Sequence, residues 1–324
     1  MKFQFLIGFV PMMFACVAVQ AALPDLPVNA IDEQTFFVGT LDLTKVNPGS
    51  IDATFIALFG DKTNGMDDFV KGFKTQYAKY GDKGAESVAV IVHGDPNQQK
   101  PGEAFLYVKF KSGTDQPALV KQIRQEDVDG HFAALEISQQ EDFMVIRKIG
   151  VALPTAGSAE LTNRFAKALG NSEKPGVGAL IFNEAMIKSM KQDLQRGGPP
   201  AMQTILTDSK WFRIELTLGE ATQAEVTIQA GDEPAGKRIA DAVTGLGELM
   251  KSQAAQIKKS AGKADARIVE IADAMTDAAE GYKPVQAGAL VKITADAKAI
   301  GGMVRAWIIG NSMQPSATPT KGGI

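Results

Sequence analysis

Residues 231–238 form the sequence pattern closest to a known chemical site. Their letters, GDEPAGKR, match the G-x-x-x-x-G-K part of a phosphate-binding P-loop. A P-loop next requires a Ser or Thr to hold Mg²⁺, and this chain has Arg238 at that position. Asp232 and Glu233 would repel the phosphates, whereas they favour the positive N-terminal end of a helix. We therefore predict a turn from a strand into a helix, which binds no nucleotide.

A second motif, S-x-x-K at residues 260–263, matches the acylating serine of penicillin-binding proteins. The S-D-N and K-T-G motifs that accompany it in those enzymes do not occur in the sequence. Ser260 also comes at the end of a long helical pattern, two residues before Gly262, and glycine commonly ends helices. We interpret this segment as a polar turn between two helices.

Histidine and acidic residues are the next candidates, because they ligate metals. The chain has two histidines, His93 and His131, whereas a zinc site usually needs three or four ligands. Both follow or precede predicted strands, so we expect them at solvated strand ends. A two-histidine site completed by Asp95 or Asp129 stays an open alternative.

The acidic segment DVDG, from Asp127 to Gly130, resembles the beginning of a calcium loop. The acid that should come six residues after the glycine is Glu136, but it falls inside a predicted strand. An acidic turn is therefore the favoured interpretation, with calcium binding as the alternative. None of the 37 acidic residues is singled out as a pair for glycoside hydrolysis.

Trp211 and Trp307 are the large aromatic residues that a carbohydrate or peptide surface could use. Tryptophan at strand and helix positions is more often part of a core, and we favour that role here. The sequence thus predicts no catalytic, cofactor-binding or metal-binding residue. It favours a protein that is not an enzyme.

Hydrophobic periodicity divides the chain into two similar series of elements. The first half, residues 34–175, reads βαββαββα, and the second half, residues 176–310, reads βαββααβα. Each contains the βαββαβ order of a ferredoxin-like fold. We predict an α+β fold with two pseudo-duplicated lobes, each a mostly antiparallel sheet with helices on one face. The polar, Pro/Gly-rich residues 170–176 form the predicted boundary.

Several single elements have clear local signals. Residues 211–218 alternate apolar and polar side chains, as a strand with one buried face does. Thr114 is a predicted helix cap, residues 66–80 have helical spacing, and residues 311–324 are a predicted disordered tail. The Ala-rich stretches 235–257 and 264–279 are predicted helices with narrow apolar stripes. We expect them to pack within the molecule; binding a partner helix or a lipid surface is the alternative.

A leader is followed by a strand, FVGTLDL at residues 37–43, and later by an alternating strand, WFRIEL at residues 211–216. A hairpin and a long Ala-rich helix at residues 235–255 come next. In this overall plan the chain resembles uncharacterised secreted proteins of planctomycete type. This resemblance implies no activity and no functional residue.

The N-terminal 21 residues have the pattern of a secretory signal peptide. A positive start at Lys2 precedes an apolar run to Val19, and Val19-Gln20-Ala21 has small residues where a signal peptidase cleaves. Cleavage after Ala21 would remove Cys16, the one cysteine of the chain. Lipidation of Cys16 and retention of the segment as an anchor are the two alternatives. Residues 22–33 read as an extended leader.

Charge limits the possible partners. Without the signal, 33 basic and 37 acidic side chains give a net charge of −4. Such a surface does not attract nucleic acid, and no stable membrane span is expected after cleavage. The sequence therefore predicts an exported protein of the periplasm or extracellular space, with a binding or structural role and an unknown protein or small molecule as partner. The alternative is an envelope hydrolase whose site is assembled from scattered residues.

Overall fold

One antiparallel sheet organises the described residues. The computed structural model describes residues 26–46 except 28, 48–59, 83–94, 103–126, 135–154, 157–195 except 171 and 173, and 198–312 except 262–265 and 282. Ten strands form the sheet in the order β4-β5-β3-β2-β1-β6-β7-β8-β10-β9, and every pair of neighbours is antiparallel. The strands are β1 (Thr35–Asp42), β2 (Ala85–His93), β3 (Glu103–Phe110), β4 (Leu135–Gln140), β5 (Phe143–Lys148), β6 (Gly176–Leu180), β7 (Ser209–Thr217), β8 (Gln223–Ala230), β9 (Lys283–Ala287) and β10 (Leu290–Asp296).

Eight α-helices are described, and most of them connect the strands. They are α1 (Pro48–Phe59), α2 (Gln116–Glu126), α3 (Ala159–Leu169), α4 (Glu184–Gln195), α5 (Pro200–Asp208), α6 (Glu233–Ala261), α7 (Ala266–Gly281) and α8 (Ala297–Ser312). The α+β class predicted from the sequence is therefore confirmed.

The two halves share one sheet, whereas we expected a separate sheet in each. β1 of the first half pairs with β6 of the second, with Gly39 opposite Gly178 and Val38 opposite Ala179. Every described residue of β6 is buried, as are seven of the eight residues of β1. A strand that is buried on both faces lies in the middle of a sheet. Periodicity identifies such strands but does not reveal which partner strand they join.

The strand neighbours also differ from a ferredoxin-like fold. A split βαβ unit leaves room for another strand between its two parallel strands. Here β1 pairs directly with β2, and the pair is antiparallel. The ferredoxin-like part of the prediction is therefore wrong. Neighbours follow the order 1-2-3-5-4 in the first half and 6-7-8-10-9 in the second.

The described helices are unequally divided between the two sides of the sheet. α3 packs on one side, face one, where Phe165 joins a core with Val38 and Ala179. On the other side, face two, α1 and α2 contribute Ile51 and Leu119 to a second core. Two further apolar clusters cover face two in the second half, and their helical members include Met186, Ile205, Ile239 and Ala299. α7 packs on α6 and α8.

Local predictions were accurate with a few exceptions. In β7, Phe212, Ile214 and Leu216 pack together on face two, as the alternation predicted. The predicted cap Thr114 is wrong: the side chain of Asp115 accepts the Ala118 N–H instead, at 3.0 Å. α5 and β9 were not predicted.

The predicted ends of the chain lie partly outside the described residues. Of the expected leader, residues 26, 27 and 29–33 are described, and among them Ala30 and Ile31 are buried in the core of face one. α8 continues to Ser312, two residues into the expected tail. The signal peptide at residues 1–21 and the helix at residues 66–80 lie outside the described residues.

Candidate functional site

The P-loop-like segment joins β8 to α6 and is a capped helix start. The Asp232 side chain accepts the Ala235 N–H at 2.8 Å, and Arg238 forms an ion pair with Asp208 at 2.7 Å. That ion pair raises the pKa of Arg238. β8 pairs antiparallel with both β7 and β10, unlike the parallel strand of a P-loop. The predicted strand-to-helix turn is therefore confirmed, and Lys237 is exposed within it.

The S-x-x-K serine lies in the last turn of α6. The Ser260 hydroxyl donates to the carbonyl oxygen of Ile257 at 3.0 Å, and α6 ends at Ala261. Lys263 lies outside the described residues. The position of Ser260 matches the predicted helix end.

Most of the candidate metal ligands predicted from the sequence lie outside the described residues. Asp95, Asp127, Asp129 and His131 lie outside the described residues, as does the side chain of Trp307. Glu136 lies in β4 and forms an ion pair with Arg147 at 2.6 Å. Within the part of the chain that the structure describes, no group of three or more His, Cys, Asp and Glu side chains could hold a metal ion.

His93 departs most from its prediction, because it is buried instead of solvated. Its exposed fraction is 5%, and its ring lies 4.7 Å from the ring of Phe105. His93 Nε2 lies 3.6 Å from Asp32 Oδ1 and has no hydrogen-bond partner. Burial lowers the pKa of His93, although Asp32 acts in the opposite direction. The signal was present in the sequence: residue 93 continues the alternation of Ala89 and Ile91, which face the same core.

The neighbours of His93 form a small polar cluster, but it has no open access. Asp32 Oδ1 accepts the Gln34 N–H at 2.9 Å and the Thr35 hydroxyl at 3.2 Å. An acid, a histidine and a hydroxyl therefore lie together, as a hydrolase would require. However, Thr35 is 1% exposed, and the unpaired His93 Nε2 is inaccessible to solvent. A substrate could reach neither atom in this arrangement.

A second polar region lies on face one of the second half, and we call it the polar face. It consists of residues from three neighbouring strands, in two rows across the sheet. Arg213, Thr227 and Lys292 form one row; Glu215, Glu225 and Thr294 form the other. Within the described chain, α3 packs over β6 and β7 on this side, while β8 and β10 contact α6, α7 and α8, which belong to face two.

Ion pairs fix the side chains of the polar face. Arg213 binds Glu215 at 2.6 Å, and Glu215 also accepts the Ser172 hydroxyl. Lys292 binds Glu225 at 2.9 Å, where the lysine side chain is 54% exposed and the glutamate 32%. Glu215 and Glu225 lie directly opposite each other on β7 and β8. Each carboxylate therefore has its own cation, which reduces the repulsion between the two acids.

Two other surfaces, around Trp211 and on α4, are weaker candidates for binding. Trp211 packs against the core of face one, in agreement with the favoured core role. A shallow hollow is lined by residues of α4 alone, among them Ile187, Lys188 and Lys191. Because one helix supplies all of its walls, the hollow brings no distant groups together.

Comparisons with known proteins give a limited result. No family model and no curated protein matches the chain. A solved structure with some likeness is crystal form I of TP0453, with a TM-score of 0.35 and 8% sequence identity. The match covers 88% of this chain and 99% of that one. None of the helices in the described residues is long and apolar enough to cross a membrane.

Proposed function

We propose that this chain is an exported, non-enzymatic protein with a binding or structural role in the periplasm or extracellular space. The signal-peptide pattern at residues 1–21 supports export. The polar face is the observation that supports binding. It offers donors and acceptors of both charges on a rigid sheet, which suits a polar small molecule or a polar patch of another protein better than nucleic acid.

The geometry of the polar face explains why it is suited to binding. Ion pairs and the sheet already hold its side chains in place. Binding a partner would therefore cost little side-chain entropy. Among the ion-paired side chains of the polar face, that of Lys292 is the most exposed, and it lies beside the buried Thr227. A ligand could therefore replace one partner of the Lys292–Glu225 ion pair without disturbing the core.

Photocrosslinking from the polar face tests this proposal. A photoreactive amino acid in place of Lys292 should give a crosslinked product in the envelope of the native host. The matched control is Lys251 on α6, which is similarly exposed, with 43% of its side chain accessible, and similarly paired, with Glu248 at 2.8 Å. A product from position 292 that is missing at position 251, and that is lost when Glu225→Lys is added, supports the proposal. Equal products from both positions, or none from either, contradict it.

Export has its own test, which does not depend on the binding surface. We expect the protein from the native host to begin at Ala22, and intact mass spectrometry measures this. A diacylglyceryl adduct on Cys16, or retention of residues 1–21, would reject the proposed cleavage.

We also propose that the two halves, residues 34–175 and 176–310, are pseudo-duplicated lobes. Their common neighbour order, 1-2-3-5-4 and 6-7-8-10-9, supports this. The antiparallel β1–β6 pair supports it as well, because related units joined edge to edge by their first strands have this arrangement.

An envelope hydrolase is the second candidate, and the contact of His93 with Asp32 is the observation that favours it. It would require the cover over the cluster to move while Asp32 and Thr35 stay beside His93, because the cluster is closed. Turnover of ester or amide substrates that is lost in Asp32→Asn, while the variant stays folded, would establish this candidate in place of the first.

A further inference from the structure

The segment at residues 29–34, which we call the N-terminal strap, closes over one end of the sheet. Ala30 and Ile31 insert into the core of face one and are 0% and 2% exposed. The Ile31 carbonyl accepts the N–H of Ser158, at the start of α3, at 2.9 Å. The carbonyl of Gln34 accepts the Gly94 N–H at 2.8 Å. The strap thus binds both α3 and the end of β2.

His93 lies directly beneath the strap. Its ring is held between Phe105 and the strap, with Nε2 facing Asp32 at 3.6 Å. It also interacts with the backbone of Ala30. Nε2 has no hydrogen-bond partner and no contact with solvent. The strap therefore supplies one side of the cover over the ring, and opening the strap would expose that side to water.

Among the described residues, the charged groups that face His93 come from two elements. Asp32 belongs to the strap and Glu103 to β3, and both favour a protonated ring. Burial opposes protonation, and it is the largest influence, so the pKa of His93 in the closed state lies below 6.5. In the open state the ring regains its ordinary pKa. The open state therefore binds the proton more tightly, and acid favours opening.

We propose that the N-terminal strap opens in response to protonation of His93. At neutral pH the ring is uncharged, and the strap covers it and fills the core with Ala30 and Ile31. A protonated ring is an unfavourable cation while it is buried. Release of the strap exposes the ring to water, which stabilises the cation. Release uncovers an apolar site on face one and frees the N-terminal segment. The sheet stays folded, because it is held by its own strand pairs.

The size of the effect is limited by the proton equilibrium. Linkage allows the open population to increase at most about 30-fold between pH 8 and pH 5, when the ordinary histidine pKa is about 6.5. The increase begins as the pH falls below that value. It stops growing once the pH has passed below the lowered pKa of the closed state.

Amide hydrogen exchange measures this opening directly. The amides of Gly94 and Ser158 donate to carbonyls of the strap, and we call them the strap amides. After correction for the intrinsic rate, they should exchange up to about 30-fold faster at pH 5 than at pH 8. Amides of β7 and β8 serve as the reference and should not change. In His93→Gln the pH dependence of the strap amides should disappear. In Asp32→Asn it should persist and increase, because an anion that favours the buried cation has been removed.

Three results would overturn the proposal. One is an equal increase in the wild type and in His93→Gln; another is no increase in the wild type; the third is an equal increase in the reference strands, which indicates global unfolding. If His93→Gln does not fold, histidine NMR on the wild type replaces it, since the chain has two histidines. The His93 ring must then titrate below pH 6.5 together with strap exchange, and titration at or above that value contradicts the proposal.

Discussion

At the scale of single residues, the core of face one contains polar atoms without partners. The Tyr107 hydroxyl and the Thr40 hydroxyl are both buried without a hydrogen bond, and both residues lie opposite Ala89. Burial is the main cause that raises the pKa of Tyr107 to about 12. An unpaired hydroxyl in a core lowers stability, because it has lost its bonds to water.

Tyr107→Phe tests this interpretation. Removing the unpaired hydroxyl should leave the free energy of unfolding unchanged or raise it by about 1 kcal/mol. The control is Ser158→Ala, which removes a buried hydroxyl that caps the Leu161 N–H at 3.3 Å and should lower stability by about 1 kcal/mol. Urea denaturation measures both. A loss above about 1 kcal/mol in Tyr107→Phe would show that its hydroxyl has a partner in solution.

The sequence could predict the local roles of several residues but not their long-range contact partners. Asp232 at a helix start, Ser158 before α3 and Asn183 before α4 all follow from capping preferences, and each accepts a backbone N–H. The burial of His93 follows from strand alternation. Its contact with Asp32 does not, because residues 32 and 93 meet only through the pairing of β1 with β2.

At the scale of elements, close packing of helices depends on two glycines of α8. A Cβ on Gly301 would lie only 2.0 Å from the carbonyl oxygen of Leu58 in α1, and one on Gly302 would lie 2.5 Å from that of Ala274 in α7. These obstacles are backbone atoms, which move only if the helices separate. Ion pairs on the same surface, from Lys298 and Arg305 to Asp277, support the contact of α8 with α7.

Gly301→Ala should therefore destabilise the fold, by about 1–3 kcal/mol as for other overpacked sites. Gly245→Ala in α6 is the matched control, because a Cβ there meets nothing within 4 Å. Alanine favours the helix interior over glycine by up to about 1 kcal/mol, so this control should be neutral or stabilising. Thermal unfolding compares the two. Equal effects would contradict the close approach of α8 and α1.

The turn between β8 and α6 gives another comparison of two substitutions. Asp232→Ala removes the cap and should cost about 1 kcal/mol, whereas Lys237→Ala should change stability by no more than about 0.5 kcal/mol. Melting with millimolar Mg-ATP checks the predicted absence of nucleotide binding. If Mg-ATP raised the melting temperature and Lys237→Ala abolished that rise, the turn would be a phosphate site. This result would contradict the proposal that the protein is not an enzyme.

The elements that the sequence missed have identifiable causes. Pro199 and Pro200 indicate the end of the preceding helix, but proline also begins helices, and α5 starts at Pro200. β9 is five residues long and contains Pro284, which weakens a strand pattern. By contrast, the stripe of α6 that includes Ile239 and Val243 was predicted, because it repeats over many turns and is buried on the sheet.

At the scale of the whole molecule, one continuous sheet joins the two halves in the described residues. The polar face and the core under the N-terminal strap both lie on face one, and they belong to the same surface only if β1 and β6 pair. The sequence predicted two series of elements but not their union. Many strands have compatible alternation, so the pairing partner is decided by three-dimensional packing, in which Phe37 lies over Gly178.

Nuclear Overhauser effects across the β1–β6 pair test whether the two halves form one sheet. Protons of Gly39 and Val38 should contact those of Gly178 and Ala179, at the short distances of an antiparallel pair. Contacts between Gly39 and Val90 in β2 are the internal control, since they lie within the first half. We expect both sets in the mature protein. Strong contacts to Val90 without any contact to Gly178 or Ala179 would contradict the account, because the halves would then form two separate sheets.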